Sequence, residues 1–213
     1  MKKALIVWGG WEGHTPQACA NIISKLLQED GFDVEVCDST SAFADPTLHQ
    51  LNLIVPIITQ STIEDHELSN LTAAVESGVG LAGFHGQMGD SFRDAVDYQF
   101  MVGGQWVAHP GDIIDYRVNI VDHTDPITSD IEDFDYHSEQ YYMHADPSNQ
   151  VLATTTFSGE YASWTKGVVM PVVWKRHHGK GRVFYSALGH IADEFSRPQM
   201  CSIVRRGMNW AAH

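Results

Sequence analysis

Residues 4–16 read ALIVWGGWEGHTP, and this stretch contains a strand, a glycine-rich loop and the start of a helix. The short apolar run at 4–8 predicts a buried strand. Thr15 and Pro16 suit the N-cap and the first position of a helix, which is expected to continue to about Asp30 because a glycine follows. The chain therefore begins with a strand–loop–helix unit.

The same alternation continues as far as residue 84. Further strands are predicted at 32–36, 51–58 and 79–84, and a second helix at 63–77. Pro56 is expected at a strand end or on an unpaired edge, because proline has no backbone N–H. Strands that alternate with helices predict a doubly wound, mostly parallel α/β sheet with helices on both faces and right-handed connections.

The pattern is less regular after residue 90. A short helix is expected at 92–102, strands at 116–121 and 151–157, a hairpin at 168–175 and 182–188, and a last helix at 197–212. The segment 109–149 is predicted to be an insertion or lid. A chain of 213 residues can bury a full core, so residues 1–213 are expected to form a single domain.

Composition restricts the partners and the compartment. The chain has 13 basic and 27 acidic residues and a formal net charge of −14, which argues against nucleic acid and membrane surfaces as partners. Three widely spaced cysteines without a CxxC motif indicate reduced thiols. With no signal-peptide pattern and no apolar run near the roughly 18 residues of a membrane span, we expect a cytoplasmic protein. Self-association into a homo-oligomer stays open.

The 12 histidines are the unusual feature of the composition. Ligands of open α/β sheets bind beyond the carboxyl ends of the strands. Four histidines occupy predicted strand ends or glycine turns: His14, His85, His109 and His190. Glu139 lies in a mixed aromatic and polar stretch at 136–142, which is typical of sugar pockets. These five residues form the candidate site.

The turn at 83–87 has the form of a nucleophile elbow, in which a strand is followed by Gly-x-nucleophile-x-small and a helix. Here the elbow position holds His85, and no cysteine is near it in sequence. Imidazole is a good base and metal ligand but a poor stable nucleophile. Cysteine-dependent glutamine amidotransferase chemistry is therefore excluded.

The residue types assign roles within the site. The predicted catalytic residues are His85, Glu139 and His190. The predicted metal ligands are His85, His109 and His190, which would suit a divalent ion such as Zn, Mn or Fe. The predicted substrate contacts are His14, Trp11 and Tyr141. No nucleotide is expected, because the glycines at 9, 10 and 13 have the wrong spacing for a dinucleotide fingerprint.

The remaining histidines are predicted to have no role in the site. His177 and His178 look like a metal pair but are expected to be solvent-exposed in a hairpin turn. Surface positions are expected for His49, His66, His123 and His144. The terminal His213 is expected to be mobile.

Several motifs in order resemble one known family. They are Gly83–Gly86, Trp106–Pro110, Ser138–Tyr141, Gly179–Tyr185, Leu188–His190 and Asn209–Ala212. Together they resemble the ThuA-like family, named for trehalose utilisation, within the class I glutamine amidotransferase-like superfamily. The resemblance covers nearly the whole chain and implies a flavodoxin-like sheet.

The resemblance also bears on the site and the function. It implies that His85 occupies the position of the amidotransferase cysteine, that His109, Glu139 and His190 fall on the family's polar motif positions, and that His14 is similar to its histidine after the first strand. It further implies a role in carbohydrate metabolism with a small-molecule carbohydrate as partner. Two functions stay open: an enzyme acting on a sugar or sugar derivative, and a non-catalytic small-molecule-binding or regulatory protein.

Overall fold

The computed structural model describes residues 1–212, and His213 lies outside the described residues. The helices are α1 (Pro16–Glu29), α2 (Asp65–Ser77), α3 (Gly86–Gly89), α4 (Val96–Val102) and α5 (Pro198–Ala211). The strands are β1 (Lys2–Gly10), β2 (Phe32–Cys37), β3 (Leu53–Thr59), β4 (Gly80–Phe84), β5 (Gly104–Ala108), β6 (Ile113–Ile120), β7 (Phe134–Glu139), β8 (Tyr142–Ala145), β9 (Gln150–Thr156), β10 (Val169–His178) and β11 (Gly181–Ser186).

Nine strands form the main sheet, in the order β2-β1-β3-β4-β11-β10-β9-β6-β7. The first five of these are parallel, and their order is that of a flavodoxin-like sheet. The other four are antiparallel, and β5 and β8 form a separate two-stranded sheet. The predicted α/β fold with a mostly parallel, flavodoxin-like sheet is confirmed.

Helices cover both faces of the parallel strands. On β11, Phe184 packs against Gly207 of α5, whereas Gly181 lies against Val75 of α2. These two β11 positions are three apart, so they face opposite sides of the sheet. All seven residues of β3 are buried, as expected for a central strand of a parallel sheet covered on both sides.

The prediction for Pro56 was wrong in position. Pro56 lies inside β3, a central strand, and pairs in register with Val7 of β1. The ladder between β3 and β4 includes only Leu53 and Ile54. Pro56 therefore lies beyond the end of this ladder. Its missing N–H does not cost β4 a hydrogen bond.

Thr15 occupies the predicted N-cap position but does not cap α1 with its side chain. Its backbone is left-handed, with φ 48° and ψ 49°. Its Oγ1 instead accepts a hydrogen bond of 2.9 Å from the backbone N–H of Ala192. The hydroxyl thus joins the start of α1 to the segment after β11.

The segment 109–149 is not a lid. It forms β6 and β7 of the main sheet together with β8, and β6 continues the sheet from β9. The predicted hairpin is present as β10 and β11, but His177 and His178 are the last residues of β10 and do not form its turn. His178 is buried, which corrects the expectation that both are exposed.

Candidate functional site

Four side chains from distant parts of the chain converge beyond the carboxyl ends of the strands. His14 ends a short 3-10 turn after β1, and His85 directly follows β4. Glu139 is the last residue of β7, and His190 lies in the loop after β11. One nitrogen or oxygen atom from each residue lies within 4.8 Å of the other three. We call these four residues the His3Glu cluster.

Glu139 reaches the cluster because the main sheet curls. In the strand order, β7 lies four positions beyond β11, which would separate them by roughly 19 Å in a flat sheet with about 4.8 Å between strands. Nevertheless, Oε2 of Glu139 lies 3.2 Å from Nδ1 of His190 and 3.5 Å from Nε2 of His85. The antiparallel half of the sheet therefore brings the carboxylate back to the parallel half.

The backbone at His85 is strained. Its φ of 47° and ψ of −149° are uncommon for a residue other than glycine. The backbone N–H of His85 donates to the Ser186 carbonyl at 2.6 Å, and the Tyr185 hydroxyl donates to the His85 carbonyl at 3.0 Å. These bonds to β11 hold the turn in a conformation that places the imidazole in the cluster.

Gly86 gives the two imidazoles room to meet. A Cβ at this position would lie 2.5 Å from Cε1 of His14 and 2.8 Å from the Tyr141 hydroxyl. The imidazole rings of His14 and His85 are 4.9 Å apart, centroid to centroid. A side chain at position 86 would therefore displace His14 or Tyr141.

Hydrogen bonds behind the cluster orient two of the rings. Nδ1 of His14 is 2.8 Å from the Thr59 hydroxyl, and Nδ1 of His85 is 2.9 Å from the Tyr141 hydroxyl. Each contact occupies Nδ1 and leaves Nε2 as the nitrogen available to the cluster. Partners of this kind fix the orientation of metal-binding histidines.

Burial and neighbouring charges set the protonation states. Burial, helped by the nearby His190, lowers the pKa of His14 to about 4. Burial also holds the pKa of His85 well below its usual range, with a further lowering by His14. Burial alone would raise the pKa of Glu139, but the close polar contact with His190 and the charge of that residue outweigh burial, so the pKa is lowered. At neutral pH the cluster contains neutral imidazoles at His14 and His85, and a carboxylate.

The donor set fits a divalent metal ion. Within residues 1–212, Nε2 of His85 and Nδ1 of His190 are buried and make no hydrogen bond of good geometry. Their nearest polar neighbour is Oε2 of Glu139, at 3.5 Å and 3.2 Å, which is itself a metal-ligand atom. Buried polar atoms normally make a hydrogen bond, so these two nitrogens point to a missing ligand. Three imidazoles and one carboxylate are a donor set that Zn, Mn or Fe accepts.

His109 lies beside the cluster at its solvent side. Its Nε2 is 3.8 Å from Oε1 of Glu139, and its Nδ1 is 3.2 Å from the exposed carboxylate of Asp112. The His109 ring also packs on Trp106, with centroids 5.5 Å apart. The structure thus brings together His85, His109, Glu139 and His190, as the sequence predicted, and it places His14 within the His3Glu cluster and His109 beside it.

The other two predicted substrate contacts have different positions. Trp11 is 47% exposed and meets His14 edge to face at 4.8 Å, so its ring is available at the rim of the site. Tyr141 is buried behind His85, and its hydroxyl is used by Nδ1 of that residue. The geometry therefore gives Tyr141 an orienting contact, whereas Trp11 alone of the two faces solvent.

Comparison with known families accounts for this arrangement of motifs. A protein-family model described as ThuA, trehalose utilisation, matches residues 3–211. The chain belongs to the ThuA family. The resemblance read from the sequence motifs is therefore confirmed, and the family description suggests a role in carbohydrate metabolism.

Solved structures support the ThuA fold. A ThuA-like protein from Bacteroides uniformis is 19% identical, with a TM-score of 0.81 over 99% of this chain and 91% of that one. A protein from Salmonella typhimurium described as cytoplasmic is 13% identical, with a TM-score of 0.67 over 98% and 99% of the two chains. A β-galactosidase from Rahnella is 17% identical, with a TM-score of 0.58, and the match covers only 30% of it. No functionally curated protein matches.

Three further observations concern the rest of this ThuA chain. Among residues 1–212, no helix is long and apolar enough to cross a bilayer. Cys19, Cys37 and Cys201 are free thiols. A cavity of about 690 Å³ lies beside β2, but no histidine lines it. The His3Glu cluster is therefore the better candidate for the functional site.

Two residues that support the ThuA site were not predicted from the sequence. Thr59 is the last residue of β3, so the strand-end rule that singled out His14 also applies to it. Glu194 has no motif around it, and its hydrogen bonds to the backbone of His190 and to β7 become visible only in the folded chain.

Proposed function

We propose that this ThuA chain is an enzyme that acts on a sugar or sugar derivative with a divalent metal ion held by the His3Glu cluster. The observation that carries the proposal is the convergence of three imidazoles and a carboxylate within 4.8 Å, with two buried nitrogens that make no hydrogen bond of good geometry. The description of the family as trehalose utilisation supports the substrate class. A disaccharide of the trehalose type is therefore the first substrate to test.

Different residues of the chain would hold the metal ion and contact the sugar. A bound metal ion would lower the pKa of a sugar hydroxyl bound to it, or polarise a carbonyl oxygen where a sugar derivative carries one. Thr59 and Tyr141 orient the imidazoles that hold it. His109, at the solvent side of Glu139, would hydrogen-bond a sugar hydroxyl, and the exposed ring of Trp11 would cover an apolar sugar face.

A cytoplasmic location is part of the same proposal. It is supported by the three free thiols and by the structural similarity to a Salmonella protein described as cytoplasmic. The elbow carries His85 in place of a cysteine, so the proposed reaction does not use a cysteine nucleophile as the amidotransferases do.

The test uses protein purified without a histidine tag. Elemental analysis is expected to find about one Zn, Mn or Fe per chain, since ligands held ready in a folded site bind metal tightly. The metal-free protein is then titrated with Co²⁺, and trehalose and other disaccharides are added while the visible spectrum and the reaction products are followed. A spectral change with a new product supports the enzyme.

Two other outcomes decide against it. A spectral change without any product would favour the non-catalytic binding protein. A wild-type chain that contains no metal and takes up no Co²⁺ would overturn the metal site itself.

A further inference from the structure

Glu194 is a buried carboxylate close to the His3Glu cluster but outside it. It lies in the 3-10 segment Ala192–Ser196, after β11. Its Oε2 accepts hydrogen bonds from the Tyr136 hydroxyl at 2.5 Å and from the backbone N–H of His190 at 2.9 Å. Its Oε1 accepts one from the Ser138 hydroxyl at 2.7 Å. One carboxylate thus receives three donors from two separate segments.

No cation is paired with this carboxylate in the described part of the chain, residues 1–212. Arg197, from the same region, stacks over the Tyr136 ring at 5.1 Å from its centroid. Burying a charge is costly unless hydrogen bonds compensate for the lost water. Burial, followed by the charge of Glu194, raises the pKa of Tyr136, so its hydroxyl keeps the proton that it donates.

The two segments that Glu194 joins are those that carry His190 and Glu139. Tyr136 and Ser138 lie on β7, which ends at Glu139 and pairs only with β6 at the edge of the sheet. His190 lies in a loop without regular secondary structure. Neither segment is held to the other by strand pairing, and the 3.2 Å contact between Nδ1 of His190 and Oε2 of Glu139 depends on how they are joined.

We propose that Glu194 is a positioning residue that sets the distance between His190 and Glu139, and so shapes one side of the metal site. The expected effect of Glu194 on metal affinity rests on the proposed function, because it requires that the cluster binds a metal ion. Its structural part, the link between the two segments, stands on the hydrogen bonds alone.

The variant Glu194→Gln keeps the size of the side chain but changes its hydrogen bonding. An amide offers one acceptor oxygen, and its NH2 group cannot accept from the His190 N–H or the Tyr136 hydroxyl. The Ser138 hydroxyl loses its acceptor and must turn to accept from the NH2 group, and the other two hydrogen bonds lose the negative charge that roughly doubles the strength of such bonds. The link between the two segments is therefore expected to weaken. Loss of such a supporting contact typically lowers metal affinity by about 10- to 100-fold.

Two control variants separate positioning from general stability. Asp193→Asn removes one charge from the same segment at an exposed position. Glu67→Gln changes a buried carboxylate in the first turn of α2, where it accepts from the Glu64 N–H. All variants are compared by thermal melting, by Co²⁺ affinity and by the ¹⁵N ring signals of labelled histidine in metal-free protein.

We expect Glu194→Gln to remain folded, to bind Co²⁺ about 10- to 100-fold more weakly and to shift or broaden the His190 ring signals. Both controls should keep wild-type Co²⁺ affinity and the wild-type His190 signals, whatever their melting temperatures. The His190 signals are assigned by their absence from His190→Ala.

The outcomes keep the two proposals apart. If wild type takes up no Co²⁺, the metal site fails, and the metal-free histidine signals still decide the role of Glu194. If Glu194→Gln shows unchanged His190 signals, or binds Co²⁺ within threefold of a metal-binding wild type, the positioning role is overturned. The positioning role is also overturned if Glu67→Gln changes the His190 signals as much as Glu194→Gln does.

Discussion

Two groups of histidines lie at opposite ends of the same sheet, and they differ in every respect that matters for metal binding. The His3Glu cluster is assembled beyond the carboxyl ends of the parallel strands from residues far apart in sequence. His177 and His178 are adjacent at the end of β10, beside the amino end of β11. The distant residues meet, whereas the adjacent pair diverges.

The reason for the divergence is the alternation of side chains along a strand. His177 packs towards Trp210 of α5, with ring centroids 6.1 Å apart, whereas His178 packs towards Phe100 of α4 at 5.9 Å. Neighbouring residues on a strand point to opposite faces, so these two rings cannot share one ion. The carboxylate of Glu76 lies 3.4 Å from Nε2 of His178. Proximity in sequence is therefore a poor guide to a shared ligand.

The largest expected contrast is between His85→Gln and His178→Gln. A site with four protein ligands contributes about 10–16 kcal/mol of binding, so losing one ligand should cost roughly a quarter, or about 100- to 1000-fold in affinity. His178→Gln should leave Co²⁺ affinity within about twofold. Metal content and Co²⁺ titration measure both. A His178→Gln variant that loses its metal while His85→Gln keeps it would reverse the comparison.

The His3Glu cluster should contribute more to the pH dependence of the free energy of unfolding than His177 and His178 do. The folded pKa of His14 is about 4, below its ordinary value of 6.5. Between these values the unfolded chain binds more protons, so stability is present above pH 6.5 and is lost as the pH falls towards 4. For His14 alone the loss is about 3 kcal/mol.

Urea denaturation of metal-free protein at pH 7 and pH 4 measures this loss. His14→Gln should reduce the dependence on pH by about that amount, since Gln does not titrate. Burial also lowers the pKa of His178, so His178→Gln should reduce the dependence in the same direction. Equal pH profiles for wild type and His14→Gln would contradict the assignment of His14 as a buried neutral imidazole.

Two glycines give a matched pair for packing. In Gly86→Ala the new Cβ would lie 2.5 Å from Cε1 of His14, and in Gly179→Ala it would lie 2.7 Å from the backbone of Glu76 at a φ of +58°. Both should lower the free energy of unfolding by about 1–3 kcal/mol. Only Gly86→Ala should also weaken Co²⁺ binding. Thermal melting and Co²⁺ titration of the two variants test this, and an equal change in affinity would argue against a localised site.

The smallest effect is expected from Tyr141→Phe. This change removes the hydroxyl that holds Nδ1 of His85 but keeps the ring that packs on it, with centroids 4.0 Å apart. Metal affinity should fall by about 10-fold, the lower end for a supporting hydrogen bond. The matched change at the other end is Ser77→Ala, which removes the hydroxyl 3.3 Å from His49 and should leave affinity unchanged. Isothermal titration with Zn²⁺ can distinguish the two, and equal affinities for both variants would remove Tyr141 from the site.

Much of the fold could be predicted from the sequence because its signals are local. The strand–helix alternation up to Phe84 and the hairpin of β10 and β11 depend on periodicity and turn residues that lie close together in the chain. The convergence of His14 and His85 also follows, since the carboxyl ends of parallel strands share one edge of the sheet. The sequence therefore determined the fold class and the edge at which the site lies.

Only the tertiary structure decided which side chains complete the site. The curl of the sheet brings Glu139 from β7 to His190, and the carboxylate of Glu194 joins their two segments. His109 stays at the solvent side, whereas His14 lies within the His3Glu cluster. These positions depend on long-range packing between strands that are distant in sequence. Local periodicity contains no information about sheet curl or side-chain direction across such distances. For that reason the sequence located the site but did not determine which four of its five candidate residues form the cluster.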